Sequence, residues 1–328
     1  MKIAVNGLGR IGKLVARLLL EEDFCQELSI NSNKITPKIA AYLLNYDSIQ
    51  GPLKEKLLVK EEKLYYKGKE IKLSAKSQLE ELNWEGIDLV LEATGAFNSR
   101  SEAKIHLEKG AKAVLVSAPC KNADSTIVMG VNKISGSTKG KVISLGSCTT
   151  NCLVPLVKIL DESFGIESAF MTTIHAYTND QALLDSRHQD LRRGRAAESS
   201  IIPTSSGVTK VIEELLPNLA GKIDGVALRV PVQNVSMIDL SWISKKQASV
   251  EDINNRMKQA AEKLPKILAY NEEPLVSIDF NQSSFSAIFD ATQTRVVDNL
   301  VRIAAWYDNE RGFSQRMVDL AKIIGDNL

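Results

Sequence analysis

Cys148 stands in the segment Ser147-Cys148-Thr149-Thr150-Asn151-Cys152 of a 328-residue chain. A strand-like run at 141–144 leads into it through Gly146, and an apolar helix follows over 153–160. The thiol is thereby expected at a helix start, where unpaired N–H groups and the helix dipole favour negative charge. Such a position, with a His nearby, lowers a thiol pKa from about 8.5 toward neutrality, and the thiolate is the strong nucleophile. The alternative is a small residue buried at a strand-to-helix turn. Thr149, Thr150 and Asn151 argue against it, because they surround the thiol with polar donors. Cys152, one turn further on, reads as packing. Among three histidines, His106 falls in an ordinary helix and His188 in a polar loop. His175 ends an apolar strand, so it is the candidate to stabilise the thiolate and serve as general base, help typically worth ~10²–10⁴ in rate.

A second chemistry is written at the start of the chain. The short apolar strand ending at Asn6 runs into Gly7-Leu8-Gly9-Arg10-Ile11-Gly12, and Leu14, Val15, Leu18 and Leu19 follow at helical spacing. Strand, G-x-G-x-x-G and helix together form a dinucleotide fingerprint, with the pyrophosphate on the helix N-terminus. In an NAD site the second strand ends in an acidic residue that binds the ribose. Here the strand at 28–31 is followed by Ser32. Thr94-Gly95 and Ser117 close two further apolar strands, at the strand ends where open α/β sheets bind ligands.

The elements that position these residues fall into two groups. Thr36-Pro37 opens a helix with a cap and a first-turn proline. Residues 63–73 read as a hairpin turning at Lys67-Gly68, and Ser77/Glu80 and Ser99/Glu102 as capping boxes. The runs at 89–92 and 113–116 suit parallel strands buried on both faces. The fold class is α/β: an N-terminal Rossmann doubly wound sheet over 1–147, joined by a C-terminal helix within 310–328. Over 148–309, strands at 169–174, 223–229, 236–244, 285–290 and 301–307, with a helix at 250–263, predict an α+β catalytic domain on a mixed or antiparallel sheet. Residues 177–200 form a long polar loop, a length usually functional or disordered.

Composition bounds the rest. Forty-one basic and forty acidic residues give a net charge of +1, so no nucleic-acid stripe is expected. Four cysteines without metal or disulfide spacing indicate a reducing compartment and no metal. Met1-Lys2 leads straight into a strand, leaving no room for a leader. No stretch approaches the ~18 apolar residues of a membrane span. A cytoplasmic protein with no membrane partner is the expectation.

Asn6-Gly7-Leu8-Gly9-Arg10-Ile11-Gly12, Ser147-Cys148-Thr149-Thr150-Asn151, Thr172-Thr173-Ile174-His175 and Trp306-Tyr307-Asp308-Asn309-Glu310 occur in one order. Together they resemble the phosphorylating glyceraldehyde-3-phosphate dehydrogenases. Asp190-Leu191-Arg192-Arg193, Ile202-Pro203-Thr204-Ser205-Ser206-Gly207 and Arg229-Val230-Pro231 extend the likeness over nearly the whole chain. The resemblance implies a homotetramer that oxidises D-glyceraldehyde 3-phosphate to 1,3-bisphosphoglycerate with NAD or NADP and inorganic phosphate, through a Cys148 hemithioacetal and thioester. It implies that Arg229 and Thr178 hold the substrate phosphate, and that Arg192, Ser147, Thr149, Ser206 and Gly207 hold the attacking one. Arg193 reads as a solvated charge. Asn6, Gly7, Gly9, Arg10, Ile11, Gly12, Ser32, Thr94, Gly95 and Ser117 are the expected cofactor site, and the resemblance implies that Asn309 meets the nicotinamide carboxamide. The chain departs from the family at Leu145-Gly146, where Asn-Ala is usual, at Ser32, where Asp is usual, and at Ser186-Arg187, where Leu-Pro is frequent. Ser32 removes a charge that repels a 2′-phosphate, so NADP acceptance is expected. Arg187 in the polar loop, helped by Lys34, pairs with that phosphate on one reading and is solvated on the other. An erythrose-4-phosphate dehydrogenase and a non-catalytic nucleotide-binding regulator or adhesin are the competing functions. Arg192 and Ser206-Gly207 favour phosphate attack over the first, and the presence of Cys148, His175 and both anchors weighs against the second.

Overall fold

The computed structural model describes residues 1–328, apart from the side chain of Leu79. The chain divides into two compact units, one of Met1–Ile127, Lys133–Ser147 and Ser314–Leu328, the other of Val128–Asn132 and Cys148–Phe313.

The first unit holds a nine-stranded sheet. Its strands are β1 (Lys2–Asn6), β2 (Glu27–Asn31), β3 (Leu58–Lys60), β4 (Lys63–Tyr66), β5 (Lys69–Ser74), β6 (Leu89–Glu92), β7 (Ala113–Val116), β8 (Ser125–Thr126) and β9 (Val142–Ser144). They lie in the order β3-β4-β5-β2-β1-β6-β7-β9-β8, parallel from β5 through β8, with β3 and β4 as an antiparallel flap. Apart from the exposed Lys2, the strands β1, β6 and β7 are buried, as their Ile, Ala, Val and Leu runs require. Helix α1 (Arg10–Leu19) leaves β1 through Gly7, whose φ of +99° only glycine adopts readily. In α2 (Pro37–Asn45) the Thr36 hydroxyl accepts the Ile39 N–H, and the short α3 (Arg100–Ala103) and α4 (Ile105–Glu108) precede β7. At 77–81 the expected capping box is absent. The Glu81 N–H bonds the Gln78 carbonyl instead, closing a single 3₁₀ turn on the backbone.

The second unit opens with α5 (Cys148–Phe164). Its strands are β10 (Ile166–Ala176), β11 (Ile202–Ser205), β12 (Ile223–Val230), β13 (Ser236–Ser244), β14 (Leu268–Asn271), β15 (Ala287–Val297) and β16 (Leu300–Tyr307), with helices α6 (Val208–Leu215) and α7 (Val250–Lys263). The sheet is mixed, in the order β11-β12-β10-β13-β16-β15-β14; β10/β12 and β14/β15 are parallel and the other pairs antiparallel. Leu153, Leu156, Val157 and Leu160 of α5 share a core with Ile238, Leu240 and Trp242 of β13 and Ile303 of β16. Helix α8 (Arg311–Asp326) belongs to the first unit from Ser314 onward, where the Thr138 hydroxyl donates to the Ile324 carbonyl at 2.9 Å. Among the described residues no helix is long and apolar enough to cross a membrane.

Candidate functional site

The face of the second sheet that meets α5 is apolar along most of its length and polar at one end. On β10, Met171 is followed at period two by buried Thr173 and His175, and on β13 Trp242, Leu240 and Ile238 run down to Ser236. On β16, Val301, Ile303 and Ala305 lead to Tyr307. Register aligns these ends. His175 pairs with Arg229, Ser236 pairs with Tyr307, and the Ile174–Met237 pair brings Ser236 level with His175. Arg229, His175, Ser236 and Tyr307 therefore form one row across four strands, with Cys148 at the first position of α5.

Cys148 Sγ lies 3.5 Å from His175 Nε2. His175 Nδ1 sits 2.6 Å from the Ala176 carbonyl, an approach that requires the proton on Nδ1. Nε2 is then the lone-pair nitrogen, turned to the thiol. Arg229 Nη1 is 3.0 Å from the same Nδ1, but its hydrogen bond goes to the Ala176 carbonyl at 3.1 Å. Tyr307 spans the row, its hydroxyl 3.1 Å from Thr149 Oγ1 and 2.8 Å from Thr173 Oγ1. Burial keeps that phenol protonated.

Burial likewise sets the charge of the pair. It lowers His175 to about 3, helped by the Arg229 charge and opposed by the Ala176 carbonyl. Although Cys148 is only part-buried by area, desolvation raises its thiol above the ordinary value, against the pull of Arg229 and of the Thr149 N–H and hydroxyl. The lowered thiol expected from a helix start beside a His is thus opposed by burial. A neutral imidazole cannot stabilise a thiolate by charge, and helix-terminal donors do not outweigh desolvation.

The first unit carries a cleft of about 280 Å³ at the C-terminal ends of β1, β2 and β6, lined by Gly7, Gly9, Ser32, Lys76 and Thr94 among others. Beyond its own chain neighbours, no atom of the described residues lies within 4 Å of where a Gly9 Cβ would stand, while a Gly12 Cβ would fall 1.9 Å from the Gly7 carbonyl oxygen. The first turn of α1 has neither an acidic residue nor a side-chain cap. Open space at a helix N-terminus without an acidic residue fits an anionic pyrophosphate.

Beneath this cleft lies a buried network absent from the sequence reading. Glu92 Oε2 accepts from Asn6 Nδ2 at 2.7 Å and meets His106 Nε2 at 2.9 Å. Its Oε1 accepts the Thr94 N–H at 2.8 Å and the Thr94 hydroxyl. Trp84 Nε1 donates to His106 Nδ1 at 2.9 Å, so the His106 proton sits on Nε2 and points at Glu92. Asn6 Oδ1 accepts in turn from Asn31, which holds the Lys76 backbone. His106 is therefore a fully buried brace of the cleft and not the ordinary helix residue it reads as in sequence.

Comparison with known proteins bears on both units. The model of the glyceraldehyde 3-phosphate dehydrogenase NAD binding domain matches residues 1–100, and that of the C-terminal domain matches residues 147–309. The glyceraldehyde-3-phosphate dehydrogenase of Geobacillus stearothermophilus is 48% identical over 329 residues, covering 99% of this chain and 98% of the relative. Glyceraldehyde-3-phosphate dehydrogenase 2 of Bacillus subtilis is 46% identical, covering 98% and 96%, and the Pseudomonas aeruginosa enzyme is 45% identical, covering 98% and 97%. The chain belongs to the glyceraldehyde-3-phosphate dehydrogenase family. It is an oxidoreductase with a Rossmann-type NAD-binding domain.

Against that family's pattern, the structure brings Cys148, His175, Thr149, Thr178 and Arg229 into one cluster, with Arg229 Nη1 3.5 Å from Thr178 Oγ1. Arg229 Nε is buried without a partner among the described residues, a donor available to an anion. Ser147 directly precedes Cys148 and is assigned to the first unit. Ser206 and Gly207 stand at the start of α6, and Arg187 and Arg192 are exposed in the long loop. Arg193 is not solvated: it binds Asp180 at 2.7 Å and Thr204 at 2.7 and 2.9 Å, because the loop folds back over β11. In the first unit Asn6, Gly7, Gly9, Ser32 and Thr94 line the cleft. Ile11 and Gly12 follow in α1, while Gly95 and Ser117 stand at the ends of β6 and β7. The Arg10 guanidinium is held by Asp47 at 2.6 and 3.1 Å. Lys76, not Lys34, is the lysine lining the cleft. Asn309 is buried on the second unit, its Oδ1 accepting from Ser236.

Iodoacetamide should alkylate Cys148 ahead of Cys25, Cys120 and Cys152, whose thiols burial raises without an opposing Arg229 or Thr149. In the ligand-free protein the rate should reach half its plateau above the usual thiol value of about 8.5; a midpoint near neutrality would contradict the raised thiol. Glu92→Gln places a donor among four donors. It should cost the first unit about 1–3 kcal/mol in urea unfolding and weaken NAD binding, whereas an unchanged midpoint would show that the network carries no stability.

Proposed function

We propose that the chain catalyses phosphorylating oxidation of D-glyceraldehyde 3-phosphate, with Cys148 as nucleophile and His175 as base. The observation that carries this is the 3.5 Å approach of Cys148 Sγ to the lone-pair nitrogen of His175, whose other nitrogen is tied to the Ala176 carbonyl. When bound, the nicotinamide cofactor supplies the two-electron acceptor. Cys148 Sγ bonds to the aldehyde carbon, and its proton ends on the new hydroxyl of a hemithioacetal. His175 Nε2 then takes that hydroxyl proton as the carbon is oxidised, leaving the acyl group on sulfur as a thioester. Inorganic phosphate attacks the thioester carbon, the C–S bond breaks, and an acyl phosphate leaves with sulfur returned as thiolate. Thr149 and Ser147, at the start of α5, supply donors beside the developing oxyanion.

Arg229 and Thr178 are proposed for the substrate phosphate; the unpaired Arg229 Nε supports this. Arg192, Ser147, Thr149, Ser206 and Gly207 are proposed for the attacking phosphate. Arg192→Leu should then raise the KM for inorganic phosphate and Arg229→Leu that for the aldehyde, each by about 2–5 kcal/mol. Equal effects of both substitutions on both ligands would defeat the two-site assignment.

Asn6, Gly7, Gly9, Arg10, Ile11, Gly12, Thr94, Gly95 and Ser117 are proposed for the dinucleotide and Asn309 for its nicotinamide. Homotetramer assembly in the cytoplasm is part of the same proposal. The long loop exposes Leu183, Leu184 and Leu191 at 64%, 76% and 85%, a loose apolar surface that a second copy would cover. NADP is proposed as an accepted cofactor. Ser32 brings no carboxylate to the ribose end of the cleft, and Lys76 adds a cation there. Arg187, exposed in the loop, is the proposed second cation from a neighbouring subunit. Ser32→Asp should shift the ratio of specificity constants toward NAD at least about tenfold, ~1.4 kcal/mol. A wild-type enzyme inert toward millimolar NADP would make Ser32 a neutral departure.

A further inference from the structure

We propose that Ser236 is a positioning residue that fixes the Asn309 amide for the nicotinamide and couples it to the His175 strand. Ser236 is 1% exposed and sits between two partners. Its Oγ accepts the Ala176 N–H at 3.0 Å, and its hydroxyl donates to Asn309 Oδ1 at 3.1 Å. A hydroxyl carries one proton, so with an N–H already aimed at its oxygen that proton has a single direction to go. Asn309 Oδ1 is thereby turned inward and Nδ2 outward. Among the described residues nothing accepts a hydrogen bond from Nδ2.

The main chain around Asn309 is held separately. The neighbouring Asp308 carboxylate accepts the Glu310 N–H at 2.9 Å, the Arg311 N–H at 2.7 Å, the Gln282 N–H at 2.7 Å and Asn234 Nδ2 at 2.8 Å. Asp308 thus fixes where Asn309 stands, and Ser236 fixes which end of its amide faces out. Without the second restraint the terminal torsion of Asn is broad and nearly two-fold. Oxygen and nitrogen then exchange places, and an outward oxygen repels a carboxamide oxygen that the outward nitrogen would bind. The other partner matters as well. Ala176 is the residue whose carbonyl takes the Nδ1 proton of His175, so one hydroxyl braces both the base and the proposed nicotinamide ligand.

This inference rests on the proposed role of Asn309, and the test separates the two. Equilibrium binding is measured by calorimetry for NAD and for ADP-ribose, which shares every group except the nicotinamide. Ser236→Ala should weaken NAD roughly five- to tenfold, the order of one lost hydrogen bond, and leave ADP-ribose unchanged. Asn309→Ala should do the same, and the double substitution should be no worse than Asn309→Ala alone. If Ser236→Ala does not fold, Ser236→Cys, similar in size but a weak donor, carries the same comparison. Loss of NAD affinity in Asn309→Ala with none in the Ser236 variant would overturn the coupling alone. Full NAD affinity in Asn309→Ala would overturn the reading of Asn309 and the coupling with it. Equal weakening of both ligands by Ser236→Ala would reduce Ser236 to a structural residue and also overturn it.

Discussion

Strand register is the constraint on which the Cys148–His175–Arg229 cluster depends. A one-residue slip in β10 would turn His175 to the opposite face and bring Ile174 beside Cys148. What prevents the slip is apolar and lies further down the same strands: Met171, Ile238, Leu240, Trp242 and Ile303 face α5 and are buried to within 1%. Chemistry is thus placed at the end of an alternation whose other positions serve the core. The arrangement is costly at the polar end, since each buried donor or acceptor there must find a partner. His175 Nδ1 finds the Ala176 carbonyl, the Ala176 N–H finds Ser236, Ser236 finds Asn309, and the Tyr307 hydroxyl finds Thr149 and Thr173. Arg229 Nε does not.

The electrostatics follow from the same burial. A thiol and an imidazole that were both solvent-exposed would titrate near their ordinary values, and some ion pair would exist at neutral pH. Enclosed by the sheet and α5, both groups favour their neutral forms. The Arg229 charge acts twice: it favours a thiolate on Cys148 and disfavours a second cation on His175. The imidazole is therefore kept unprotonated, the form a general base needs, and Arg229 with the Thr149 N–H and hydroxyl pulls the sulfur toward thiolate without outweighing desolvation.

Much of this was legible in one sequence because local chemistry announces itself. Strand, glycine turn and helix at 2–19 mark a dinucleotide cradle without knowledge of the rest. The expected strand at 236–244 and helix at 250–263 coincide with β13 and α7, both of which carry regular alternation or amphipathic spacing. Short edge strands were not legible. Residues 58–60, 202–205 and 268–271 carry too few residues for a period, and Pro203 argues against a strand until an edge position explains it. Long-range polar partners were illegible for a different reason. Glu92, His106 and Trp84 are separated by 14 and 22 residues, and nothing at His106 itself announces a carboxylate. Ser236 and Tyr307 did leave a signal, namely polar residues at positions the alternation assigns to the core.

The two units solve one problem in the same way. In the first, a carboxylate at the end of β6 accepts from Asn6, Thr94 and His106, so the glycine turn and the next strand end are held by a single acceptor. In the second, a hydroxyl at the start of β13 and a carbonyl at the end of β10 hold the base and Asn309. Each brace lies one layer behind the residues facing a ligand, and each is built from groups with few protons to give. That economy sets direction. An acceptor-only carboxylate forces its neighbours to donate inward, and a single hydroxyl proton forces one amide to accept. Asn6 is held at both ends, by Glu92 and Asn31; at Asn309 the inward oxygen is held by Ser236, so the orientation of the amide is fixed. The groups that orient Asn6 and Asn309 therefore lie outside the motifs that contain those residues.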